Sequence, residues 1–380
     1  MKNLQAMSDR PQDRIYLSAP YQSGSEAKLL QEVLDSNHLA PVGPHLRQFE
    51  ELLEDTFHYS NVVALNSGTS ALHLILRHIG IGSGDTVLVS DLTFVGGVNP
   101  IRYLGAEPVF IDSEAQSWNM CPALLEQYLS ANQDGLPKAV VLVHIFGIPA
   151  QVKLIKGICD RYGIILIEDC AEALGTQVDG QAVGTFGQYA LLSFNGNKLI
   201  TTTGGGAAIL PDGAAAENIL YLATQAKAAA DYYDHHELGY NYRMSNLLAA
   251  VGIAQLQSFD FRIERKRAIH HQYLELLGDL PLAFQEGNTG KSCFWLTCAT
   301  LTTDRITPGR LCQLLDEQYN IEARRIWKPM HLQPFYQGCE SVLNGQSDYL
   351  FEKGICLPSG VGMTDDQIQF VANAVKKVLM

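Results

Sequence analysis

One lysine lies in a short polar loop between two apolar runs that are typical of β-strands. The loop and its flanks, residues 193–206, read SFNGNKLITTTGGG, and the lysine is Lys198. Where the end of a sheet shields a lysine from water, the pKa of its ammonium falls, and the free amine can attack a carbonyl to form a Schiff base. Most lysines are solvated, so a turn lysine without a role is the alternative that the loop alone leaves open.

Small and hydroxyl-bearing residues open a predicted helix after the first predicted strand. Residues 66–76 read NSGTSALHLIL, with apolar residues at helical spacing from Leu72 onward. Backbone amides at a helix N-terminus and the hydroxyls of Ser67, Thr69 and Ser70 can together face an anion, so this turn is a candidate phosphate site. The alternative is that a serine or threonine here only caps the helix.

An aromatic residue follows the second predicted strand. Residues 91–97 read DLTFVGG, which places Phe94 just before two glycines. A ring at the carboxyl end of a strand can cover the face of a flat ligand, and the glycines let the backbone approach it. Core packing is the alternative for Phe94.

Carboxylates end a strongly apolar strand. Residues 164–175 read IILIEDCAEALG, with Asp169 at the strand end and Glu172 three residues later. In a parallel sheet the carboxyl ends of the strands are where ligands bind, and a buried acid there needs a partner. The protonated nitrogen of a pyridine ring is one such partner. An aspartate that only caps a helix is the alternative.

The composition indicates a globular protein of the cytosol. The 380 residues are 47% hydrophobic, enough for two domains with a large core. The formal net charge of −13 argues against nucleic-acid and anionic membrane partners, and we expect neither membrane spans nor a secretory segment. Eight scattered cysteines predict free thiols without structural zinc or any other metal site.

Short apolar runs alternate with helical stretches from residue 62 onward. This pattern predicts an α/β fold whose mostly parallel, seven-stranded sheet is flanked by helices. The link before the last strand is too short for a helical crossover, so we expect that strand to be antiparallel. The seven predicted strands are 62–65, 86–90, 108–111, 139–144, 164–167, 190–193 and 206–210.

Helical patterns and a second, smaller α+β domain complete the prediction. Helices are expected over 25–34 and 46–57, and residues 245–277 form either one long helix or two helices broken near 259–261. A strand is expected within 294–301 and a closing helix over 365–378. We predict a large ligand-binding domain over 1–255, whose N-terminal lead packs on a small domain over 256–380.

Taken together and in this order, the four motifs resemble those of fold-type-I pyridoxal-phosphate enzymes. Within them the chain resembles the sugar-nucleotide aminotransferases of the DegT/DnrJ/EryC1/StrS family, from about Leu17 to the C-terminus. Besides the stretches above, the resemblance includes residues 239–246 (GYNYRMSN) and 327–331 (WKPMH). The 193–206 stretch, 343–345 (LNG) and 353–360 (KGICLPSG) look most like the transaminases that make UDP-N-acetylbacillosamine precursors.

The resemblance assigns the cofactor contacts. Lys198 would bind pyridoxal 5'-phosphate covalently and then act as the base and acid of the reaction. Asp169 would pair with the pyridine nitrogen, Phe94 would stack on the ring, and Glu172 would lie by the oxygen substituent of the ring or by the substrate.

It also assigns the phosphate and substrate contacts. Residues Gly68, Thr69 and Ser193 would hold the phosphate. Asn241 would reach it from the other subunit of a homodimer, so the active sites would be shared. Arg324 and His331 match family positions that line the substrate cleft.

The implied activity is transfer of the amino group of L-glutamate to C4 of a UDP-linked 4-keto-6-deoxy-N-acetyl sugar. A relative acting on a 3-keto or another nucleotide-linked keto sugar is the nearest alternative. A sugar C3-dehydratase of the family has histidine in place of the lysine, so Lys198 argues against it. A nicotinamide enzyme would need a G-x-G-x-x-G turn, which residues 66–70 do not supply. A non-catalytic regulator or scaffold that binds pyridoxal phosphate is the alternative from another class.

Overall fold

The computed structural model describes residues 13–287 and 290–380. Its strands, in chain order, are β1 (Val62–Leu65), β2 (Thr86–Ser90), β3 (Glu107–Ile111), β4 (Ala139–Val143), β5 (Ile165–Asp169), β6 (Gln177–Val178), β7 (Gln181–Ala182), β8 (Tyr189–Ser193), β9 (Gly206–Ile209), β10 (Leu282–Phe284), β11 (Thr297–Leu301), β12 (Arg324–Arg325), β13 (Ser341–Val342) and β14 (Gly354–Leu357).

The helices of the same residues follow the strands in an alternating order through the first half of the chain. They are α1 (Glu26–Ser36), α2 (Pro44–Phe57), α3 (Gly68–His78), α4 (Asn99–Tyr103), α5 (Pro122–Ala131), α6 (Val152–Tyr162), α7 (Gly213–Ala223), α8 (Asn246–Leu256), α9 (Phe259–Leu277), α10 (Pro308–Tyr319), α11 (Gln346–Lys353) and α12 (Asp365–Leu379). None of these helices combines the length and apolar character that crossing a membrane requires.

The central sheet contains all seven predicted strands in the order β1-β9-β8-β5-β4-β2-β3, with β13 added beyond β3. β2, β3, β4, β5 and β8 pair in parallel, whereas β9 is antiparallel to both β8 and β1, as predicted. The eighth strand was not predicted. It has only two residues, which pair in parallel with Phe110 and Ile111 of β3.

Both faces of this sheet are buried by helices. Successive side chains of a strand point to opposite faces, so Val140 and Leu142 of β4 enter one core cluster and Ala139 and Val141 enter another. Residues of α5 and α6 complete the first cluster, and residues of α3 and α7 complete the second. The near-continuous apolar strands are therefore explained by burial on both sides.

The helical pattern over 245–277 forms two helices, α8 and α9, separated at residues 257–258. α8 is apolar on all sides and packs closely on α2. A Cβ at Gly252 would lie 2.5 Å from the ring of Phe49, so only glycine allows this approach.

A second sheet lies in the C-terminal part of the chain. Its strands follow the order β10-β11-β14-β12 and are all antiparallel, and α9, α10 and α12 share its core cluster. Ile15, in the N-terminal lead, forms a bridge with Ile321 of this part. The C-terminal part also contributes one strand, β13, to the large sheet. The division at 255/256 stays a prediction.

Candidate active site

A cleft of about 430 Å³ lies at the carboxyl ends of the central parallel strands, the position at which open α/β sheets bind ligands. Residues from both parts of the chain line it: Asn66, Ser67, Gly68, Thr69, Thr93, Phe94, Gly96, Gly97, Val143, Asp169, Ala171, Glu172, Leu191, Ser193, Asn195, Asn197, Lys198, Gly204, Gly205, Trp295, Arg324 and Trp327. Eight of the ten predicted site residues are in this set, and Asn241 and His331 are not.

Lys198 projects into the cleft from the loop that follows β8. Its amide donates to the carbonyl of Asn195 at 3.0 Å, which closes the turn. The side chain is 14% exposed, and its Nζ lies 3.5 Å from Oε1 of Glu172 and 3.9 Å from the ring centroid of Trp295. The amine is therefore held between a carboxylate and an aromatic face, largely shielded from water.

The carboxylate of Glu172 is held in place by a backbone amide at the oxygen that does not face Lys198. Its Oε2 accepts from the amide of Phe146 at 2.7 Å, so Oε1 is left for Lys198. The amide is aimed by an unusual backbone, because Phe146 has φ +55° in the left-handed region. Such a conformation is uncommon outside glycine and is held here by complete burial of the Phe146 ring.

Asp169 ends β5 and is 6% exposed. Burial raises the pKa of this carboxyl from 3.8 to about 6, although the amide of Ala171, which donates to Oδ1 at 3.0 Å, acts in the opposite direction. Its Oδ2 lies against Gly97, where an added Cβ would come within 2.8 Å. A carboxylate buried at this depth is stabilised by a cationic partner.

The start of α3, where the sequence predicts a phosphate site, lines the cleft, and its role toward an anion stays a prediction. Ser67 caps the helix, its Oγ accepting from the amide of Ser70 at 3.0 Å. The amides of Gly68 and Thr69 precede the first helical hydrogen bond and so remain for a ligand. A Cβ at Gly206 would lie 2.3 Å from the nitrogen of Gly68, which explains a glycine where β9 meets the helix. Ser193 lines the cleft beside this turn.

Phe94 borders the same cleft and is 63% exposed. The backbone next to it approaches α3 closely, because a Cβ at Gly96 would lie 2.8 Å from Oγ1 of Thr69. Its ring is therefore available to a flat ligand rather than packed in the core, which was the alternative.

These residues match the chemical groups of pyridoxal phosphate. The cofactor has a phosphate for the start of α3, a ring face for Phe94, a ring nitrogen for Asp169 and a carbonyl carbon for Lys198. The glycines at 96 and 97 let the backbone of this turn lie close to Thr69 and Asp169, two of the residues that line the cleft.

Arg324 lines the cleft from the C-terminal part, as the resemblance implies. It lies on β12 opposite Cys356 and pairs with Glu322, with Nε 2.9 Å from Oε1. Its role toward a substrate stays a prediction.

His331 lies next to the cleft and is held between two acids. Its Nδ1 is 2.8 Å from Oδ2 of Asp91, its amide donates to Oδ1 of Asp91 at 3.0 Å, and its Nε2 is 3.2 Å from Asp348. The hydrogen bond with Asp91 raises the pKa of His331. Within this chain the imidazole thus holds the 330–332 segment to the end of β2 rather than lining the cleft.

Asn241 is exposed and lies outside the cleft of its own chain. Its carbonyl accepts from Nδ2 of Asn66 at 3.3 Å, and its Oδ1 accepts from Nε2 of Gln225 at 3.0 Å. Contact with the phosphate of a second subunit stays a prediction.

His144, Glu168 and Cys170 lie close together beneath the cleft and are buried. Glu168 accepts from Nε2 of His144 at 3.0 Å and from the amides of Gly184, Phe186 and Gly187. The amide of Ala150 donates to Nδ1 of His144. These bonds satisfy the carboxylate and the imidazole, so the group acts as a support for β5.

Trp295 and Trp327 line the cleft but were not predicted as site residues. Their ring centroids are 6.3 Å apart, and Trp327 also packs on Phe146 at 5.3 Å. Trp327 stands in the WKPMH motif, which was a usable signal. Trp295 had none, because its nearness to Lys198 arises only when the two parts of the chain come together.

Comparison with known proteins gives a consistent result. The family model described as DegT/DnrJ/EryC1/StrS aminotransferase family matches residues 20–376. EpsN of Bacillus subtilis (strain 168), which carries the name of a pyridoxal phosphate-dependent aminotransferase, is 46% identical over 363 residues, 93% of each chain. The GDP-perosamine synthase of Vibrio cholerae is 35% identical over 94% of this chain and 97% of its own.

A further relative and a solved structure extend the comparison. The dTDP-4-dehydro-2,3,6-trideoxy-D-glucose 4-aminotransferase of Saccharopolyspora spinosa is 30% identical over 96% of this chain and 97% of its own. The crystal structure of a DegT DnrJ EryC1 StrS aminotransferase from Brucella abortus superposes with a TM-score of 0.87 at 26% identity, covering 94% of this chain and 95% of that one. The chain therefore belongs to the DegT/DnrJ/EryC1/StrS family of pyridoxal phosphate-dependent aminotransferases.

Proposed function

We propose that this aminotransferase moves the amino group of L-glutamate to C4 of a UDP-linked 4-keto-6-deoxy-N-acetyl sugar. The product would be UDP-4-amino-4,6-dideoxy-N-acetylglucosamine or a close relative, a precursor of bacterial glycans. The observation that carries the catalytic part is the position of Lys198, whose amine stands in the cleft between Glu172 and Trp295.

The residues of the cleft divide into a holding set and a reacting set. The holding set consists of Asp169 for the ring nitrogen, Phe94 for the ring face, and the start of α3 with Ser193 for the phosphate. When bound, pyridoxal phosphate supplies a ring that accepts electrons and carries the amino group between donor and acceptor.

Lys198 is the reacting residue. Its Nζ accepts and returns the proton that moves between the donor or acceptor carbon and the cofactor. Glu172 stabilises this side chain when it carries the proton, because one carboxylate oxygen faces Nζ and the other is fixed by the amide of Phe146. General acid-base work of this kind contributes about 10²–10⁴-fold to a rate.

The sugar assignment has a different support. The names of two relatives specify nucleotide-linked sugars, one of them a 4-dehydro sugar aminated at C4. Those two names specify GDP and dTDP, whereas the stretches 343–345 and 353–360 of this chain resemble the UDP-bacillosamine type. The nucleotide is therefore the point on which this proposal differs most from its relatives.

A homodimer with shared active sites forms part of the proposal. Exposed aromatic side chains lie on two surfaces. Tyr232 and Tyr233 precede Asn241, and Phe94, Tyr103 and Phe335 line a second hollow next to the cleft. The second hollow measures about 780 Å³ but contains none of the lysine and acid groups of the cleft. The exposed tyrosines on one surface and the apolar hollow on the other are suited to pair between two copies across a two-fold axis.

Incubation of the holoenzyme with L-glutamate and a panel of keto sugar nucleotides tests the proposal. The panel contains UDP-, GDP- and dTDP-linked 4-keto sugars and a 3-keto sugar, and NMR coupling constants identify the product. We expect the UDP-linked N-acetylated 4-keto sugar to give the highest kcat/KM and an amine at C4. Preference for the GDP- or dTDP-linked sugar would replace the nucleotide assignment, and consumption of the 3-keto sugar alone would overturn amination at C4.

Addition of glutamate alone separates an enzyme from a non-catalytic protein that binds pyridoxal phosphate. An enzyme converts the bound cofactor to its amine form, so the visible absorbance spectrum changes and 2-oxoglutarate is released. A regulator or scaffold would leave the spectrum unchanged.

A further inference from the structure

A second lysine, Lys266, is buried in α9 beneath the cleft. Its side chain is 1% exposed, and its Nζ donates to the carbonyl of Trp295 at 2.7 Å and to the carbonyl of Ser359 at 2.5 Å. Oγ of Ser18 is the third oxygen, at 3.4 Å. Three oxygen acceptors match the three donors of an ammonium.

Two of these three contacts lead to the residue that precedes Lys198. The carbonyl of Asn197 accepts from Nε1 of Trp295 at 2.7 Å and from Oγ of Ser18 at 2.9 Å. Trp295 and Ser18 are thus each bonded to Lys266 on one side and to Asn197 on the other. The loop that carries Lys198, residues 194–205, is called the catalytic loop. It is fixed at the Asn197 carbonyl by Trp295 from the C-terminal part and by Ser18 from the N-terminal lead.

Trp295 also touches the catalytic amine directly. The indole is 2% exposed, and its ring centroid lies 3.9 Å from Nζ of Lys198. A displacement of the Trp295 backbone would therefore move both the hydrogen bond to Asn197 and the aromatic face against which the amine rests.

Burial of a lysine at this position costs the hydration of its charge. Burial lowers the pKa of Lys266 from 10.5 to about 7, which reflects the loss of hydration of its charge. Methionine has a similar length and would avoid that loss, but it offers no donor to the three oxygens.

We propose that Lys266 is a positioning residue for Lys198, acting through the carbonyl of Trp295 and the hydroxyl of Ser18 to fix the Asn197 carbonyl and the indole that covers the catalytic amine. The proposal rests on the role of Lys198 given above. It assigns to α9, which packs in the core clusters of both parts of the chain, an indirect effect on the chemistry of the cleft.

The first test compares Lys266→Met with Arg262→Met. Arg262 lies one turn earlier on α9 and is equally buried, but its guanidinium bonds Oγ of Ser258 and the carbonyl of Tyr21. Its connection to the catalytic loop runs through Gln255 to the amide of Thr201, and not to the carbonyl of Asn197. We expect kcat to fall about tenfold or more in Lys266→Met, with KM for glutamate changed less than about twofold, because misplacement of a reacting group by an ångström costs up to about 10²-fold. Equal losses in the two variants would show a general effect of losing a buried cation and would overturn the proposal.

A mutant cycle tests whether Lys266 acts through the two donors to Asn197. Trp295→Phe combined with Ser18→Ala removes both donors and keeps an aromatic ring at position 295. If Lys266 acts through these donors, Lys266→Met should reduce kcat by less than about threefold in this background. Full additivity of the two losses would overturn the proposal.

Chemical labelling of the cofactor-free protein gives a readout that needs neither cofactor nor substrate. Acetic anhydride labels free amines, and peptide mass spectrometry compares Lys198 with the exposed Lys153 in the same sample. We expect the ratio of Lys198 labelling to Lys153 labelling to change at least about threefold in Lys266→Met and to stay at the parent value in Arg262→Met. An unchanged ratio in Lys266→Met would overturn the proposal even if kcat falls.

If Lys266→Met does not fold, Ser18→Ala and Trp295→Phe carry the labelling test, since each removes one donor to Asn197 and leaves Lys266 in place. An unchanged ratio in both variants would then overturn the proposal. Failure of the proposed function is distinguishable, because it would appear as a holoenzyme whose turnover does not depend on Lys198, whatever the labelling shows.

Discussion

Different neighbours of Lys198 favour the protonated and the free form of its amine. Glu172 stabilises the charged form, whereas the indole of Trp295 and the low exposure of the site keep water away from the free amine. A residue that must both give and take a proton benefits from this combination.

We expect Lys198→Ala to lose turnover almost completely, by at least about 10²–10⁴-fold, because it removes both the cofactor attachment and the proton carrier. Steady-state kinetics with glutamate measures the loss, and borohydride reduction with peptide mapping should place the pyridoxyl group on Lys198 of the parent. Lys153→Ala is the control, since Lys153 is exposed and pairs with Asp179 on the surface. A Lys198→Ala variant that retains a tenth of the parent rate would contradict the assignment.

Asp169 is expected to serve function at the expense of stability. Its pKa is raised to about 6 by burial, so the folded protein binds this proton more tightly than the unfolded chain does, whose carboxyl has a pKa near 3.8. The resulting destabilisation is fully present above about pH 6 and disappears as the pH falls toward about 4.

Asp169→Asn should therefore raise the free energy of unfolding of the cofactor-free protein by about 1–3 kcal/mol at neutral pH, and the gain should vanish near pH 4. The same variant should hold pyridoxal phosphate less tightly and turn over more slowly. Urea titration at several pH values and a cofactor-retention assay measure the two effects. Asp212→Asn, at the exposed cap of α7, should change neither. A destabilised Asp169→Asn at neutral pH would show that another group already pairs with the carboxylate.

At the scale of elements, the 330–332 segment is attached to the end of β2 by Met330 and His331, which both bond Asp91. Met330 donates its amide to the carbonyl of Asp91, and His331 bonds the Asp91 carboxylate with both its amide and its ring. This attachment places Trp327 and Met330 beside Phe94.

The attachment should depend on pH. The pKa of His331 is raised mainly by its hydrogen bond with Asp91, so the stability it provides is fully present below the unfolded pKa of 6.5 and is lost as the pH rises through the higher folded value. We expect His331→Gln to lower the free energy of unfolding by about 1 kcal/mol near pH 6, since partial exposure weakens the pair, and by less at about pH 9. Thermal unfolding at both pH values measures the difference, with the exposed His38→Gln as control. A deficit that grows with pH would contradict the charged pair.

The elements also show what sequence reasoning reaches and where it stops. The seven strands were predictable because each is a near-continuous apolar run buried on both faces. The carboxyl end of the sheet was predictable because Asp169 ends one strand and Lys198 follows another. β13 was not predictable, because two half-buried residues carry no periodic signal and their partner, β3, lies some 230 residues earlier.

The site shows the same limit. The holding residues follow strands within one half of the chain, so local motifs reveal them. Trp295 and Lys266 act on Lys198 only through tertiary contacts, and a buried lysine in a mixed helical pattern is indistinguishable from a surface one until the helix is packed.

At the scale of the whole molecule, Asn241 does not line the cleft of its own chain, although this residue belongs to one of the motifs, residues 239–246, that carry the family resemblance. The exposed Tyr232 and Tyr233 precede this motif, and the apolar hollow lined by Phe94, Tyr103 and Phe335 adjoins the cleft. The proposed dimer requires a second copy to place its own Asn241 near the start of α3.

Complementation between two inactive variants tests the shared site. Asn241→Asp keeps the size of the side chain and an oxygen for Gln225, but puts a negative charge where the phosphate is expected, so activity should fall at least about tenfold. Heterodimers of Lys198→Ala and Asn241→Asp chains, isolated with two affinity tags, should have one intact site and about half the parent rate per dimer. Heterodimers of Lys198→Ala and Asp169→Asn chains are the control and should gain nothing, because both residues come from the same side of the cleft. If the first heterodimer is as inactive as its parents, each site is built from a single chain, and the exposed Tyr232 and Tyr233 have another role.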